Sequence, residues 1–296
     1  MAKLSRYLDP ESISHITPLE IKAKYVVEGF IAGMHKSPYR GFAVEFAQHR
    51  EYTPGDEVKH IDWKVYGRTG RYYIKQYEEE TNFIAHILHD ASESMRYGST
   101  EVTKFEYANL LTCCISYLIL NQQDAVGVTI FDNKVRQVLE PKSLAPYIHT
   151  IARELEASSA EEKTSMGPIL HDCAERTKKR GLIFLVSDLF NDPDEILEGI
   201  QHFRFLGHEV ILFHILDPYE ITFPFEGMWK FEGLEGYDDR IIRPKQLRRA
   251  YLTALERFVK KIKDGCLAAN ADYIQVDTSK PVEQVLIEYL GLRKMI

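Results

Sequence analysis

The sequence predicts an α/β protein: a mostly parallel, Rossmann-like sheet flanked by helices, with a small N-terminal helix plus β subdomain. Three observations lead there. From residue 83 onward, short apolar runs rich in β-branched residues alternate with longer helical segments, the pattern of a parallel sheet covered on both faces. The charge changes character near the same place. Residues 1–80 carry 12 Lys+Arg and 12 Asp+Glu, whereas residues 81–296 carry 25 and 32 and hold the whole net charge of −7. Finally, residues 39–77 are rich in aromatics and turns, with Pro54-Gly55-Asp56 as a strong turn signal. These place a boundary near residue 80, with 1–80 as the small subdomain and 81–296 as the main domain.

The elements follow in order. Residues 19–35 set Leu19, Ala23, Val26, Val27, Phe30 and Met34 at mostly helical spacing, an amphipathic helix. Residues 71–77 read as a strand. Arg50, Tyr52, Asp56, Asp62, Trp63, Lys64 and Arg68 mix charge with aromatics: the structural reading packs Trp63 on the main sheet with Arg–Asp pairs fixing the turns, and the functional reading is an interaction surface. Residues 83–89 form a short apolar strand and 104–121 a long, mostly apolar helix. Residues 125–131 are a β-branched strand whose hairpin partner is 136–139. Residues 143–157 are helical, 164–179 are a loop leading into a helix, and 182–187 are a buried strand. Pro193 opens a helix over 193–205, where its missing N–H is no loss. A strand over 209–216 precedes an insertion at 217–243, with a short hairpin near 229–231. A helix over 244–269, a strand over 273–276 and a helix over 282–290 complete the domain.

Composition excludes several classes. At 45% hydrophobic and 27% charged, the chain is neither disordered nor collagenous. Its acidic balance provides no general attraction to nucleic acid or anionic lipid. Nine Lys+Arg against one Glu over residues 240–263 read as a solvated helix face in preference to a nucleic-acid stripe, and such a face could also meet an acidic partner. Four cysteines without a C-x-x-C pair suit a reduced, cytoplasmic compartment. No apolar run reaches the about 18 residues of a membrane helix, and none follows Lys3 and Arg6 as a signal peptide would require. Gly67-Arg68-Thr69-Gly70 lacks the spacing of a P-loop.

In a parallel sheet, ligands gather at the carboxyl ends of the strands. There the sequence offers Asp90, Ser92 and Ser94 after the first strand, and Ser187 and Asp188 after the 182–187 strand. The loop before an intervening helix adds Thr164, or Ser165 in its place. This all-oxygen set suits a hard cation such as Mg²⁺, or another divalent ion such as Mn²⁺ or Ca²⁺. Ser92 and Ser94 would bind it directly; Asp90, Thr164 and Asp188 would do so directly or through water. With few charged ligands the ion stays net positive and seeks an acidic group from a partner. An Asp-x-Ser-x-Ser loop by itself is also an ordinary turn cap; the matching Thr and Asp at other strand ends favour the ion.

Residues 90–95, 164–170 and 186–188 resemble, in order and context, the metal-ion-dependent adhesion site of von Willebrand factor A-like domains. Residues 50–70, from Arg50 through Pro54-Gly55-Asp56 and Asp62-Trp63-Lys64 to Gly70, resemble the signature of domain-of-unknown-function family 58, a bacterial group that carries such a domain. Position 60 is His60 where that family often has Arg. The resemblance implies a cytoplasmic protein working beside a MoxR-type AAA+ ATPase in the maturation or remodelling of other proteins. In that setting the chain is a non-enzymatic, metal-dependent adaptor.

The enzyme alternative is a Mg²⁺-dependent phosphatase with Asp90 as nucleophile. Phosphatases resembling the haloacid dehalogenases place a second Asp two residues on as general acid. Here that position is Ser92, a poor proton donor near neutral pH, and no suitably placed lysine stands out.

Overall fold

The computed structural model describes residues 19–24, 26–27, 49–51, 63–75, 84–160, 166–226, 229–231, 240–242 and 244–293. Two compact units emerge, one of residues 1–30 with 83–296 and one of residues 31–82. In the larger unit, residues 19–24 and 26–27 form helix α1. Its stripe of Leu19, Ala23, Val26 and Val27 is buried. Leu19 N–H donates to Glu156 Oε1 at 2.5 Å, and Cys114 Sγ approaches the Ala23 carbonyl at 3.9 Å. This helix, which the sequence groups with the small N-terminal part, thus packs within the large unit.

The smaller unit pairs β1 (His49–Glu51) with β2 (Tyr73–Lys75) antiparallel, with α2 (Trp63–Thr69) between them in sequence. Tyr66 stacks on Tyr72 at 4.4 Å, and Trp63 meets Tyr66 edge-on at 6.1 Å. Trp63, which the sequence expectation sets on the main sheet, is the first residue of α2. Asp56 and Asp62, expected to pair with arginines there, lie outside the described residues.

The main sheet contains β3 (Ile84–Asp90), β4 (Ala125–Phe131), β5 (Val135–Lys142), β6 (Leu182–Ser187), β7 (Glu209–Leu216) and β10 (Asp272–Asp277). Their spatial order is β10-β7-β6-β3-β4-β5. Every neighbouring pair is parallel except β4 with β5, the hairpin expected from sequence. This is the α/β architecture that the strand–helix alternation implies, a mostly parallel six-stranded sheet flanked by helices. The short strands β8 (Trp229–Phe231) and β9 (Arg240–Ile242) pair antiparallel within the 217–243 insertion.

Burial explains the strand patterns. All six residues of β6 are buried, as are all of β7 except Glu209. Central parallel strands are covered on both faces, so they are continuous apolar runs rather than alternating ones. Helices α5 (Met166–Arg176), α6 (Pro193–Phe205) and α8 (Pro244–Ala268) contribute Ile169, Leu170, Ile196, Ile200, Phe203 and Ile262 to one core cluster with Leu88, Leu185 and Leu212. Helix α3 (Lys104–Asn121) is apolar on nearly every side and is buried accordingly. It packs against the sheet, α4 (Tyr147–Ala157) and α9 (Val282–Arg293). Its start is fixed by Thr103 and Glu106, which form a reciprocal capping box.

The topology also creates the site. The chain enters at β3, runs outward through β4 and β5, then returns to β6 on the other flank of β3. The crevice between β3 and β6 is therefore a topological switch point, open at the carboxyl ends of the strands.

The start of β6 demands bare backbone. A Cβ built on Gly181 would lie 2.1 Å from the Ile84 carbonyl oxygen. Gly181→Ala is expected to destabilise the fold by about 1–3 kcal/mol, since neither strand can shift without disturbing packed neighbours. Gly67→Ala in α2, where nothing lies within 4 Å, should leave stability unchanged or raise it by up to about 1 kcal/mol. Urea denaturation of both variants checks this contrast.

Candidate functional site

Parallel pairing of β3 with β6 aligns His89 with Val186, so that Asp90 and Ser187 end adjacent strands. Ser187 Oγ donates to Asp90 Oδ2 at 2.5 Å, and the Ser92 backbone N–H donates to Asp90 Oδ1 at 2.9 Å. The second bond closes the chain into a turn that enters a 3₁₀ segment, Glu93–Arg96. This brings Ser92 Oγ within 3.1 Å of Ser94 Oγ. Ser94 in turn lies near Asp188, whose carboxyl its hydroxyl helps to hold low. On the far side, Phe190 N–H donates to Asp188 Oδ1 at 3.1 Å and Leu189 N–H donates to Ser187 Oγ at 2.9 Å. The latter bond accompanies a left-handed backbone at Leu189, φ 58°, uncommon for a residue with a branched side chain. Asp90, Ser92, Ser94 and Asp188 are all buried. Four of the five expected site residues thus converge at this strand edge, three of them joined by hydrogen bonds. The fifth, Thr164, and its substitute Ser165 lie outside the described residues, which resume at Met166, the first residue of α5.

Two further residues complete the site, and sequence patterning does not single them out. Lys104, the first residue of α3, is 2% exposed. Its Nζ donates to Asp188 Oδ2 at 2.7 Å and to Glu220 Oε1 at 2.8 Å, and lies 5.8 Å from the centre of the Tyr97 ring. Lys104 is thus a lysine beside a strand-end aspartate that does not stand out in the sequence. A usable signal existed. A cation at a helix start opposes the helix dipole, so a lysine there implies an acidic neighbour. Glu220 belongs to α7 (Pro218–Thr222), a short helix inside the 217–243 insertion. Asp217 caps it, accepting from Tyr219 N–H at 2.7 Å, while Glu220 Oε2 accepts from Asp217 N–H at 2.9 Å. The other Asp217 oxygen accepts from Ser99 N–H at 2.8 Å, tying the insertion to the loop that precedes α3.

Burial and charge divide the carboxylates into different roles. Burial pushes the Asp90 carboxyl up to about 7, and the negative charge of Asp188 adds to this against the bonds from Ser187 and Ser92. Burial acts on Asp188 in the same sense, but the ammonium of Lys104 and its hydrogen bond outweigh it and hold Asp188 below the usual carboxylate range. Lys104 is in turn raised above its ordinary value: burial opposes its charge, and the two carboxylates prevail. Glu220 is raised by burial, which Lys104 only partly offsets. The ionised Lys104–Asp188 pair therefore sits beside an Asp90 whose carboxyl is raised well above the usual carboxylate range.

The donor chemistry fits a hard divalent ion. Asp90 and the two serine hydroxyls supply oxygen, and each Asp90 oxygen keeps a lone pair beyond the hydrogen bond it accepts. No group of three or more His, Cys, Asp or Glu that could hold a metal occurs among the described residues. His89 is spent structurally: burial lowers it to about 4, and its Nδ1 pairs with Thr112 Oγ1 at 3.0 Å. Asp132-Asn133 forms the turn between β4 and β5, where Asp132 Oδ1 accepts from Lys134 N–H at 3.2 Å. On α8, Lys260 and Lys263 are exposed and Lys261 pairs with Asp194 at 2.7 Å, as a solvated helix face requires.

Residues 48–260 match the family described as "Protein of unknown function DUF58". The uncharacterized protein Rv1480 of Mycobacterium tuberculosis is 22% identical over 216 residues, 72% of this chain and 68% of that protein. Among solved structures, BatB from Bacteroides thetaiotaomicron aligns with TM-score 0.46 and 17% identity, covering 71% of this chain and 99% of that one. The SpRpn10 VWA domain aligns with TM-score 0.41 and 14% identity, covering 69% of this chain and 93% of that one.

Two outcomes follow from the charges. Lys104→Met leaves Asp188 buried without its cation and is expected to cost about 3–5 kcal/mol in urea denaturation. The second concerns Asp90. A carboxyl raised from 3.8 to about 7 in the folded state binds a proton that the unfolded chain has released between those values. Its contribution to stability is complete below pH 3.8 and disappears as pH rises through about 7. His86, His89 and His214, each lowered to about 4 by burial, act in the opposite sense, so the comparison must be differential. In chelator, Asp90→Asn is expected to gain on the wild type from pH 4 to pH 8 by up to roughly 4 kcal/mol. Denaturation at several pH values measures that gap.

Proposed function

We propose that this chain, which belongs to the DUF58 family, is a non-enzymatic protein-binding module whose contact point is the oxygen network at the carboxyl edge of its sheet. The observation that carries this reading is the convergence of Asp90, Ser92, Ser94 and Asp188 at the switch point between β3 and β6. In this proposal Ser92, Ser94 and Asp90 hold Mg²⁺, or Mn²⁺ or Ca²⁺ in its place, with Asp188 and Thr164 binding directly or through water. The ion supplies a positive, hard-acid centre at which an acidic side chain of a protein partner completes the coordination. The rim suits such a partner: Phe190, two residues beyond Asp188, is 64% exposed, and Tyr219, beside Glu220, is 39% exposed. Exposed aromatics beside a polar centre are favoured anchors in protein interfaces.

The partner class follows the family resemblance: a MoxR-type AAA+ ATPase or a protein on which it acts, in the cytoplasm. No helix among the described residues is long and apolar enough to cross a membrane, and the four free cysteines are buried. The non-enzymatic assignment rests on two features. Ser92 stands where a phosphatase needs a proton donor. Lys104, which such an enzyme would turn to a substrate phosphate, is bound by Asp188 and Glu220.

Thermal melting tests the ion. Mg²⁺ at a hundredfold excess over its dissociation constant should stabilise the wild type by about 2.7 kcal/mol and leave Asp90→Ala unmoved. Capture of a purified MoxR-type ATPase should require Mg²⁺ and weaken with Phe190→Ala. Equal capture in excess chelator and by a folded Asp90→Ala variant would sink the proposal.

A further inference from the structure

Lys104 occupies an unusual place for a lysine. It is almost fully buried and bonded to two carboxylates from distant segments, one of which, Asp188, belongs to the candidate ion site. A divalent ion and this ammonium would therefore draw on the same Asp188 charge. Glu220 sets how strongly the lysine is held. It reaches Lys104 from α7, whose geometry is fixed by Asp217, and its side chain is 21% exposed. Asp188, Lys104 and Glu220 form a row in which a central positive charge is shared by an inner and an outer carboxylate. Whatever weakens the outer contact turns the ammonium more fully on the inner one.

We infer that Lys104 is a built-in counter-cation that competes with a divalent ion for Asp188, and that Glu220 tunes this competition by drawing the lysine outward. This deepens the metal-dependent reading above and rests on it. The row determines the ion affinity of the site and couples it to the insertion that carries α7. A partner that contacts the exposed edge of Glu220 would thereby change how tightly the ion is held, because both events bear on the same lysine.

The sign of the charge at each position makes the inference testable. Removing the lysine charge leaves the site more negative, and removing the Glu220 charge leaves it more positive. At the short range of these contacts either change outweighs the screening that mutes exposed charges. Isothermal titration with Mg²⁺ should therefore find Glu220→Gln weakened by about tenfold and Lys104→Met strengthened by about tenfold. The double variant should return close to the wild-type value. Glu220→Gln keeps the shape of the side chain at a partly exposed position, so that arm stands even if Lys104→Met does not fold. Thermal melting in chelator reports folding of each protein separately from ion binding.

If Glu220→Gln binds Mg²⁺ as tightly as the wild type or tighter, the row is a structural brace and the inference is overturned while the metal site stands. If both single variants weaken binding, the competition is likewise refuted. If wild type and every folded variant fail to bind Mg²⁺, Mn²⁺ or Ca²⁺, the metal-dependent reading itself fails and the inference falls with it.

Discussion

Burying Asp90 and Asp188 at the ends of two adjoining parallel strands obliges the fold to supply positive charge or a proton. Two carboxylates removed from water together cannot both remain ionised without compensation. The molecule answers differently for each. Asp188 receives the ammonium of Lys104 at 2.7 Å and stays ionised. Asp90 receives hydroxyl and amide hydrogen bonds but no cation, and its carboxyl rises to about 7. The resulting shortage of positive charge beside Asp90 is what a bound divalent ion would remedy.

The rest of the fold serves this edge. Strands β6 and β7, buried on both faces, make a rigid platform on which backbone ends can be held to hydrogen-bond accuracy. The loops then do what the platform does not dictate. A turn at Ser92 aligns two hydroxyls, a left-handed Leu189 redirects the chain after Asp188, and the capping box at Asp217 fixes Glu220. Many unrelated activities share such sheets, so the functional argument rests on this edge and not on the architecture.

How much of this was legible in the sequence depended on how local the signal was. The strands showed themselves because burial on both faces leaves unbroken apolar runs, as in residues 182–187. Asp90, Ser92, Ser94 and Asp188 could be read because strand ends are where parallel sheets bind ligands, and each lies within a few residues of one. Lys104 was hidden: it opens an ordinary apolar helix, and its partners lie 84 and 116 residues away. Helix α7 was hidden in a stretch rich in proline and aromatics, although Asp217-Pro218 followed by Glu220 is a capping signature. Contacts between residues far apart in the chain carried the electrostatics, and no local pattern encodes them.

The central claim is that the oxygen network at the carboxyl edge is an ion site. The measurement that tests it most directly is anomalous diffraction from crystals of the full chain grown or soaked with Mn²⁺. The account predicts an anomalous peak within coordination distance of Ser92 Oγ and Ser94 Oγ, beside Asp90, that is absent from crystals of Asp90→Ala. A well-ordered wild-type loop with no peak at these oxygens, at Mn²⁺ concentrations that populate other sites, would contradict it.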